Sequence, residues 1–181
     1  MTTDPTPSLF SIHELGTPIG PLLMATDEDD QLRALVFGDD RVRLHALLQR
    51  SYGDVPTTSI SEPGPVGIAL GRYFDGDLDA LAGIRTASAG TPFQKAVWDA
   101  LASIPVGTTT SYGAIAAAIG RPNAVRAVGM ANGANPISIV VPCHRVIGTD
   151  GTLTGYGGGI ERKRWLLDHE GVSVPRTLVL V

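Results

Sequence analysis

The first third of the chain alternates short apolar segments with turns. Residues 9–15, 22–25 and 32–37 each have the length of a strand, and a Pro/Gly turn and the acidic turn 27–30 separate them. This order predicts an antiparallel meander of three strands.

After the meander comes a segment whose apolar residues have the spacing of a helix. Asp39 or Asp40 can serve as the N-cap of a helix that is predicted to run to about Tyr52. The apolar positions of this helix are Val42, Leu44, Leu47 and Leu48.

A second helix is predicted over residues 66–74, after a connection rich in Pro, Ser and Thr. The Gly/Asp-rich residues 75–90 predict a loop with one strand near Ile84. We find no chemical motif in these first ninety residues, whose acidic charges are typical of a solvated face.

The pattern changes at Thr91. Thr91, Pro92 and Gln94 occupy the N-cap, first and third positions of a predicted helix, which is the arrangement of a capping box. The helix is predicted to stop before Pro105, because the residue before a proline avoids helical geometry. Its apolar face consists of Phe93, Val97, Trp98, Leu101 and Ile104.

Two short helices are predicted next. N-cap candidates over residues 108–112 precede a helix through Ile119, which Gly120 closes as a left-handed cap. A second helix is predicted from Asn123 to Gly133. Two short helices joined by a tight turn that contains glycine indicate a helix-turn-helix.

The second of these helices consists almost entirely of small residues, with one arginine, Arg126. Small side chains allow a helix to approach a narrow DNA groove closely, and a single arginine can wedge into the base stack. The alternative is an Ala/Gly helix packed in a protein core, which explains the small residues equally well. That alternative explains Arg126 poorly, because a buried and unpaired guanidinium is costly.

These elements predict an α+β fold with a small N-terminal α/β domain over residues 1–90, built on an antiparallel sheet, and a mostly helical C-terminal domain over residues 91–181. A hydrophobic fraction of 43% is enough for a core that needs no disulfide or metal to stabilise it. A single cysteine excludes an intramolecular disulfide and a multi-thiol zinc site. No apolar signal or spanning segment opens the chain, so we expect a soluble, cytoplasmic protein.

The charge differs between the two halves. Residues 1–89 carry six Arg against thirteen Asp and Glu, and residues 90–181 carry eight Lys and Arg against five, so the net charge of -4 divides into -7 and +3. Between Asp99 and Asp150 there is no carboxylate. Such a stretch suggests a surface that meets a polyanion. A buried Ala/Gly-rich segment that simply lacks charges is the alternative.

The only cysteine, Cys143, follows an apolar run over residues 137–141 that predicts a short buried strand ending at Pro142. The thiol is therefore expected at the mouth of a core, and His144 directly follows it. A lone cysteine with a nearby histidine is a candidate nucleophile. The alternative is a buried cysteine that acts as a small hydrophobe.

A glycine-rich loop covers residues 152–159, before a predicted helix over residues 160–170 that Gly171 caps. The loop has the glycine spacing of neither a P-loop nor a dinucleotide-binding turn. It is more typical of a flexible wall that approaches a substrate closely.

Short motifs along the second half of the chain match one protein family. They are Pro92-Phe93-Gln94 with Val97-Trp98, Ile104-Pro105-Val106-Gly107, Ser111-Tyr112-Gly113, Arg126-Ala127-Val128-Gly129, Asn135-Pro136, the stretch from Pro142 to Gly148, Gly155-Tyr156, Leu166-Leu167 and Glu170-Gly171. With these motifs the chain resembles the methylated-DNA-protein-cysteine methyltransferases, the O6-alkylguanine-DNA alkyltransferases. Residues 17–22 also resemble the start of that family's N-terminal domain, which implies a ribonuclease H-like fold there.

The resemblance implies a set of catalytic roles. Cys143 would be the alkyl acceptor, His144 a base acting through a water, and Glu170 the carboxylate that orients His144. Asn135 would hold the active-site turn, and Tyr112 would polarise the base or assist rotation of its phosphate. The implied reaction is irreversible transfer of the alkyl group from O6-alkylguanine, and from O4-alkylthymine, in a flipped-out nucleotide of double-stranded DNA, carried out by a monomer.

The resemblance also implies a DNA-binding surface on which Arg126 fills the gap left by the flipped nucleotide. The other residues of that surface would be Thr108, Ser111, Val125, Ala127, Gly129 and Asn132. The substrate pocket would be lined by Ser138, Val146, Gly155, Tyr156, Gly157, Gly158 and Lys163.

Two comparisons with the family refine the expectation. The zinc-binding cysteines and histidines of some members' N-terminal domains are absent from this sequence, so we expect no metal and no cofactor. Non-catalytic relatives have tryptophan in place of the cysteine, whereas this chain has Cys143, so we expect activity. Two rival functions are a helix-turn-helix regulator without catalysis and a cysteine hydrolase with His144 as its base.

Overall fold

A computed structural model describes residues 6–38 and 41–173 of the chain. By its internal contacts the chain divides into two compact units. The first is Met1–Gly90 together with Pro136–Val140, and the second is Thr91–Asn135 together with Val141–Val181. Compactness does not show that a unit folds independently, so the two-domain organisation stays a prediction.

The first unit contains a four-stranded sheet. The three predicted strands are confirmed as β1 (Phe10–Leu15), β2 (Leu22–Thr26) and β3 (Leu32–Phe37), which pair antiparallel as a meander. A fourth strand, β4 (Thr57–Ser59), pairs parallel with β1, so the strand order is β3-β2-β1-β4. The sequence did not indicate β4, because its residues are polar and all exposed.

Two helices accompany the sheet. Helix α1 (Arg41–Tyr52) buries Leu44, Leu47 and Leu48 against β1, β2 and β3, as its spacing predicts. Val42 was wrongly predicted on that face and is 80% exposed. Two residues correspond to about 200° of helical rotation, which places Val42 opposite Leu44. The proposed caps, Asp39 and Asp40, lie outside the described residues.

The second predicted helix of this unit is confirmed as α2 (Gly64–Phe74). Within residues 75–90 the chain forms a one-turn 3₁₀ helix, Ala80–Gly83, and the strand predicted near Ile84 is wrong. A single parallel bridge between Thr86 and Leu32 takes its place.

The buried strand predicted over residues 137–141 is also wrong. Ile137 forms one isolated parallel bridge with Leu35. Ile139 then has a φ of 71°, a left-handed value that a β-branched residue rarely adopts and that ends any extended run. The side chains of Ile137 and Ile139 are nevertheless buried, so the hydrophobic pattern predicted burial correctly and conformation wrongly.

The second unit begins with α3 (Pro92–Ala102). The predicted capping box is confirmed, since the Gln94 N–H donates to the Thr91 hydroxyl at 3.2 Å and the Thr91 N–H donates to the Gln94 side chain at 3.0 Å. The indole N–H of Trp98 donates to the carbonyl of Ala131 at 2.9 Å. This bond joins α3 to α5 (Val125–Gly133) and satisfies the polar atom of a buried tryptophan.

Helix α4 (Tyr112–Ala118) lies between them in the sequence. The Ser111 hydroxyl caps its first turn by accepting the Ala114 N–H at 3.1 Å. At its end Gly120 has a φ of 69°, and the N–H groups of Gly120 and Arg121 donate to Ala117 and Ala116. This is the Schellman arrangement expected for a glycine cap.

The last helix is α6 (Ile160–His169), which ends in the same way at Gly171, with a φ of 80°. Two short strands, β5 (Thr110–Ser111) and β6 (Val146–Ile147), pair parallel in this unit. Within residues 6–38 and 41–173 none of the helices has the length and apolar character needed to span a bilayer.

Candidate active site

Cys143 opens a one-turn 3₁₀ helix, Cys143–Arg145, that directly follows Pro142. The thiol is 5% exposed, so the expected position at the mouth of a core is wrong and the side chain is buried. The side-chain amide of Asn135 donates to the Cys143 sulfur at 3.1 Å and to the Val141 carbonyl at 2.8 Å. Asn135 therefore contacts both sides of the Pro142 turn, and its donation to sulfur favours a thiolate.

His144 is 0% exposed and its Nε2 lies 3.0 Å from Oε1 of Glu170. A carboxylate can only accept, so Nε2 carries the hydrogen and Nδ1 of the neutral ring carries the lone pair. Within the described part of the chain, Nδ1 has no hydrogen-bond partner. The unprotonated nitrogen is therefore the one available to take up a proton.

The protonation states of the pair follow from burial and contact. Burial lowers the pKa of His144, and this outweighs the opposite effect of Glu170. Burial alone would raise the pKa of Glu170, but hydrogen bonds from His144 and Arg145 hold that pKa below its ordinary range. At neutral pH the pair is a neutral imidazole beside a carboxylate, which is the form a general base requires.

Arg145 completes this cluster. Its Nε donates to Oε2 of Glu170 at 2.8 Å, its Nη2 donates to Oε1 at 2.9 Å, and its Nη1 donates to the carbonyl of Ile104 at 2.6 Å. In the sequence, Arg145 belongs to the stretch between Asp99 and Asp150 that has no carboxylate, and its pairing with Glu170 was not predicted. The position of Arg145 beside His144 was the one indication of this pairing in the sequence, because a charged side chain in a buried turn needs a partner of opposite charge.

The end of α6 places Glu170. Glu170 is the C-cap residue of that helix, immediately before the left-handed Gly171. The negative end of a helix dipole disfavours a carboxylate by roughly 0.3–1 kcal/mol. Two charge-assisted bonds from Arg145 outweigh this, since each is worth about 1.5–3 kcal/mol.

Lys163 is 0% exposed, so it belongs to the interior. Its Nζ donates to the Val146 carbonyl at 2.6 Å and to the Thr154 carbonyl at 3.0 Å. Burial lowers the pKa of Lys163 to about 8, while the charge of a Cys143 thiolate opposes that shift. The attraction is reciprocal, so a protonated Lys163 favours the thiolate.

Tyr112 is the first residue of α4, and its hydroxyl oxygen accepts a hydrogen bond from the Thr154 hydroxyl at 3.0 Å. Gly129 of α5 faces the same ring, because a Cβ on Gly129 would lie 3.9 Å from the Tyr112 ring. Gly129 is therefore partly covered by Tyr112.

One face of α5 is open to solvent. Val125, Arg126 and Ala127 are exposed there, as a DNA-contacting role requires. Asn132 is 4% exposed, so its predicted place on that surface is wrong: the helical turn directs it inward. Met130 is 78% exposed and lies one turn from Arg126. It was not predicted as part of this surface, although its i, i+4 spacing from Arg126 could have indicated it.

The two predicted DNA contacts that precede α4 have local roles. Thr108 is exposed, and its hydroxyl donates to the Pro105 carbonyl at 2.8 Å. The hydroxyl of Ser111 is the cap of α4. In the stretch free of carboxylates, Arg121 and Arg126 are exposed whereas Arg145 is buried, so two of its three arginines can meet a polyanion.

The predicted pocket residues divide between the two units. Ser138 is in the first unit, where its N–H donates to the Leu35 carbonyl at 3.0 Å. The Val146 carbonyl accepts a hydrogen bond from Lys163. Its oxygen has a second lone pair, so it can accept from another donor as well. Gly155 is exposed, and a Cβ there would meet no atom within 4 Å.

The remaining pocket predictions lie in the same glycine-rich loop. Tyr156 and Gly158 are half-buried, and Gly157 is exposed. The carbonyl of Gly158 accepts from Arg162 at 3.2 Å. Among the residues that the structure describes, no three His, Cys, Asp or Glu side chains cluster as a metal site would require.

Comparison with known proteins gives consistent matches. Residues 92–172 match the family described as 6-O-methylguanine DNA methyltransferase, DNA binding domain. The chain is 52% identical over 161 residues to the methylated-DNA–protein-cysteine methyltransferase of Salmonella typhimurium, covering 88% of this chain and 94% of that protein. It is 46% identical over 175 residues to the protein of that name from Mycobacterium bovis, covering 95% and 99%.

Solved structures show the same likeness. The crystal structure of Mycobacterium tuberculosis OGT in complex with DNA matches with a TM-score of 0.74 and 43% identity, covering 88% of this chain and 92% of that one. O6-methylguanine-DNA methyltransferase from Pyrococcus kodakaraensis matches with a TM-score of 0.66 and 25% identity, covering 90% and 99%. The mixed α/β fold, with a small sheet and helices α1 to α6, is that of these proteins.

Proposed function

Because the chain belongs to the methylated-DNA–protein-cysteine methyltransferases, we propose that it repairs double-stranded DNA by moving the alkyl group of O6-alkylguanine directly onto Cys143. We extend the proposal to O4-alkylthymine, which presents the same kind of alkylated oxygen. The enzyme acts without a metal or cofactor, since the acceptor is a side chain of the protein.

The transfer begins with activation of the thiol. A water between Cys143 and Nδ1 of His144 carries the thiol proton to the imidazole, because Nδ1 holds the free lone pair. The sulfur attacks the alkyl carbon, the S–C bond forms and the C–O6 bond breaks. The proton taken from the thiol returns to the departing guanine, so atoms and charge balance. A thioether has no leaving-group route back to thiol, so each molecule reacts once.

Glu170 and Arg145 act on His144 and not on the substrate. The carboxylate fixes the imidazole tautomer through its 3.0 Å bond to Nε2, and it stabilises the imidazolium that forms when the thiol loses its proton. Arg145 holds both oxygens of Glu170 and keeps the carboxylate ionised. Asn135 supports the turn and stabilises the thiolate.

The substrate base must leave the DNA stack, because an O6 substituent inside a duplex is out of reach of a buried thiol. We assign α4 and α5 to a helix-turn-helix that presents Arg126 to the DNA, where the guanidinium fills the gap left by the flipped nucleotide. Tyr112 donates to the extruded base, and the loop over residues 155–159 forms the pocket with Val146 and Lys163. Donation from Tyr112 stabilises negative charge on the leaving base.

The proposal includes the remaining sequence predictions. The protein acts as a cytoplasmic monomer of two domains, with a ribonuclease H-like N-terminal domain. The exposed arginines Arg121 and Arg126 supply the positive charge of the DNA surface. Few cations line this face, so the affinity for DNA decreases only slightly as the salt concentration rises.

The observation that supports the proposal most is the bond between His144 Nε2 and Glu170, which leaves Nδ1 unprotonated in the residue that directly follows Cys143 in the sequence. The test is intact mass spectrometry after incubation with an O6-methylguanine duplex, followed by peptide mapping. We expect one methyl group on Cys143, stoichiometric repair, and no transfer by Cys143→Ala, which still binds the duplex. Repeated turnover would favour the hydrolase, and binding without a mass increase would favour the regulator.

A further inference from the structure

Thr154 lies at the start of the glycine-rich loop and makes two bonds that no role above explains. Its hydroxyl donates to the Tyr112 hydroxyl oxygen at 3.0 Å, across 42 residues of sequence. Its carbonyl accepts from Nζ of Lys163 at 3.0 Å. One residue therefore connects the buried lysine of α6 with the phenol at the start of α4.

The position of Thr154 is well defined. Lys163 is buried and also donates to Val146 of β6 at 2.6 Å, so the carbonyl of Thr154 is held relative to the strand that follows Cys143. A threonine side chain is stiff at χ1 because its Cβ is branched. Fixing the main chain of Thr154 thus also fixes the direction of its hydroxyl.

A bond accepted by Tyr112 determines what its own hydrogen can do. A phenol has one O–H, and when its oxygen accepts from Thr154, that hydrogen is left for another acceptor. Accepting a hydrogen bond also polarises a hydroxyl and strengthens its donation. We propose that Thr154 is a positioning residue that directs the Tyr112 O–H toward the extruded base and makes it a stronger donor. This inference rests on the proposed function, in which Tyr112 donates to the base.

The chain offers matched substitutions for this idea. Thr154→Val keeps the branched shape and the main-chain bond to Lys163 but removes the hydroxyl. Thr154→Ser restores a hydroxyl on a smaller side chain. Tyr112→Phe removes the acceptor itself, so it shows whether Thr154 acts through Tyr112.

The experiment measures single-turnover methyl transfer to Cys143 for the wild type and both Thr154 variants, each with and without Tyr112→Phe. A single hydrogen bond is worth about 1 kcal/mol, so we expect Thr154→Val to slow transfer about three- to tenfold. Thr154→Ser should restore most of the rate. In the presence of Tyr112→Phe, Thr154→Val should produce no further loss.

Each other result overturns the inference. An unchanged rate in Thr154→Val shows that the hydroxyl does not matter. Equal losses with and without Tyr112→Phe, or no rescue by serine, show a structural role of Thr154 in the loop. Failure of the proposed function is a separate result, because the wild type itself would then acquire no methyl group on Cys143.

Discussion

Gly107 and Glu170 approach each other through their backbones: a Cβ on Gly107 would lie 3.2 Å from the carbonyl oxygen of Glu170. Gly107 also has a φ of 74°, which side chains disfavour. The glycine of the Ile104-Pro105-Val106-Gly107 motif is therefore required twice, by its own conformation and by the end of α6 that carries the carboxylate.

Gly107→Ala should reduce both stability and alkyl transfer. The left-handed conformation costs an alanine about 1 kcal/mol, and the contact with Glu170 adds to this and displaces the partner of His144. Gly151→Ala is the matched control, since Gly151 has a φ of 80° and open space around it. Urea unfolding should show a larger loss of stability in Gly107→Ala than in Gly151→Ala, and alkyl transfer should slow only in Gly107→Ala. Equal transfer rates would contradict the coupling.

Arg145→Leu should destabilise the protein by about 3 kcal/mol. The change leaves the Glu170 carboxylate buried without its main partner, which is the costly way to break a buried pair. Adding Glu170→Gln removes the stranded charge and should recover part of the loss. The measurement is urea unfolding of the wild type, both single variants and the double variant. Strictly additive losses would show that the two residues do not interact.

Lys163 should make stability depend on pH above neutrality. Burial lowers its pKa from 10.5 to about 8, so between these values the unfolded chain binds more protons than the folded protein. Stability should therefore rise as pH increases from about 8 to about 10.5, by about 3 kcal/mol from this group. Denaturation of wild type and Lys163→Met across that range isolates the effect. If the stability of the wild type and that of Lys163→Met change with pH in the same way, the lowered pKa of Lys163 is contradicted.

Lys163→Met should also slow alkylation of Cys143 by iodoacetamide at neutral pH. The variant removes a positive charge that favours the thiolate. Arg162→Met is the control, because it removes a neighbouring charge that is not buried. Both variants reacting at the wild-type rate would remove Lys163 from the activation of the thiol.

Arg126→Ala should impair repair of duplex DNA more than transfer from the free modified base. Arg126 is exposed on α5 and lies outside the bonds that join Cys143, His144 and Glu170. Arg121→Ala, which removes an exposed charge before α5, should weaken duplex binding without this selective loss. Transfer rates for both substrates check the prediction. Equal losses on the two substrates would contradict the proposal that Arg126 fills the gap left by the flipped nucleotide.

The pocket should accept groups larger than methyl. Gly155, Gly157 and Gly158 carry no side chain, and a Cβ on Gly155 would meet no atom within 4 Å. We expect wild type to react with O6-butylguanine and O6-benzylguanine, and Gly158→Trp to lose the larger substrates first. Competition among methyl, butyl and benzyl substrates for Cys143 provides the measurement. If the wild type reacts only with the methyl substrate, the pocket does not accept larger groups.

Local rules in the sequence were enough for most of the secondary structure. The capping box at Thr91, the glycine caps at Gly120 and Gly171 and the three strands of the meander involve residues close together in the chain, whose preferences are set by their own backbone and neighbours. The family motifs around Cys143 likewise require only sequence order. These features were enough to identify the family and a mixed α/β fold, and they predicted Cys143 as the nucleophile.

Contacts between distant residues were decided by the tertiary structure. The bond of Arg145 to Glu170 spans 25 residues, and that of Thr154 to Tyr112 spans 42, so neither spacing nor periodicity could indicate them. Burial of Asn132 and exposure of Val42 depend on which helix face meets a neighbour, and the left-handed Ile139 depends on packing that overrides β propensity. A sequence specifies which groups are available, whereas the site requires partners that only the folded chain brings within hydrogen-bonding distance.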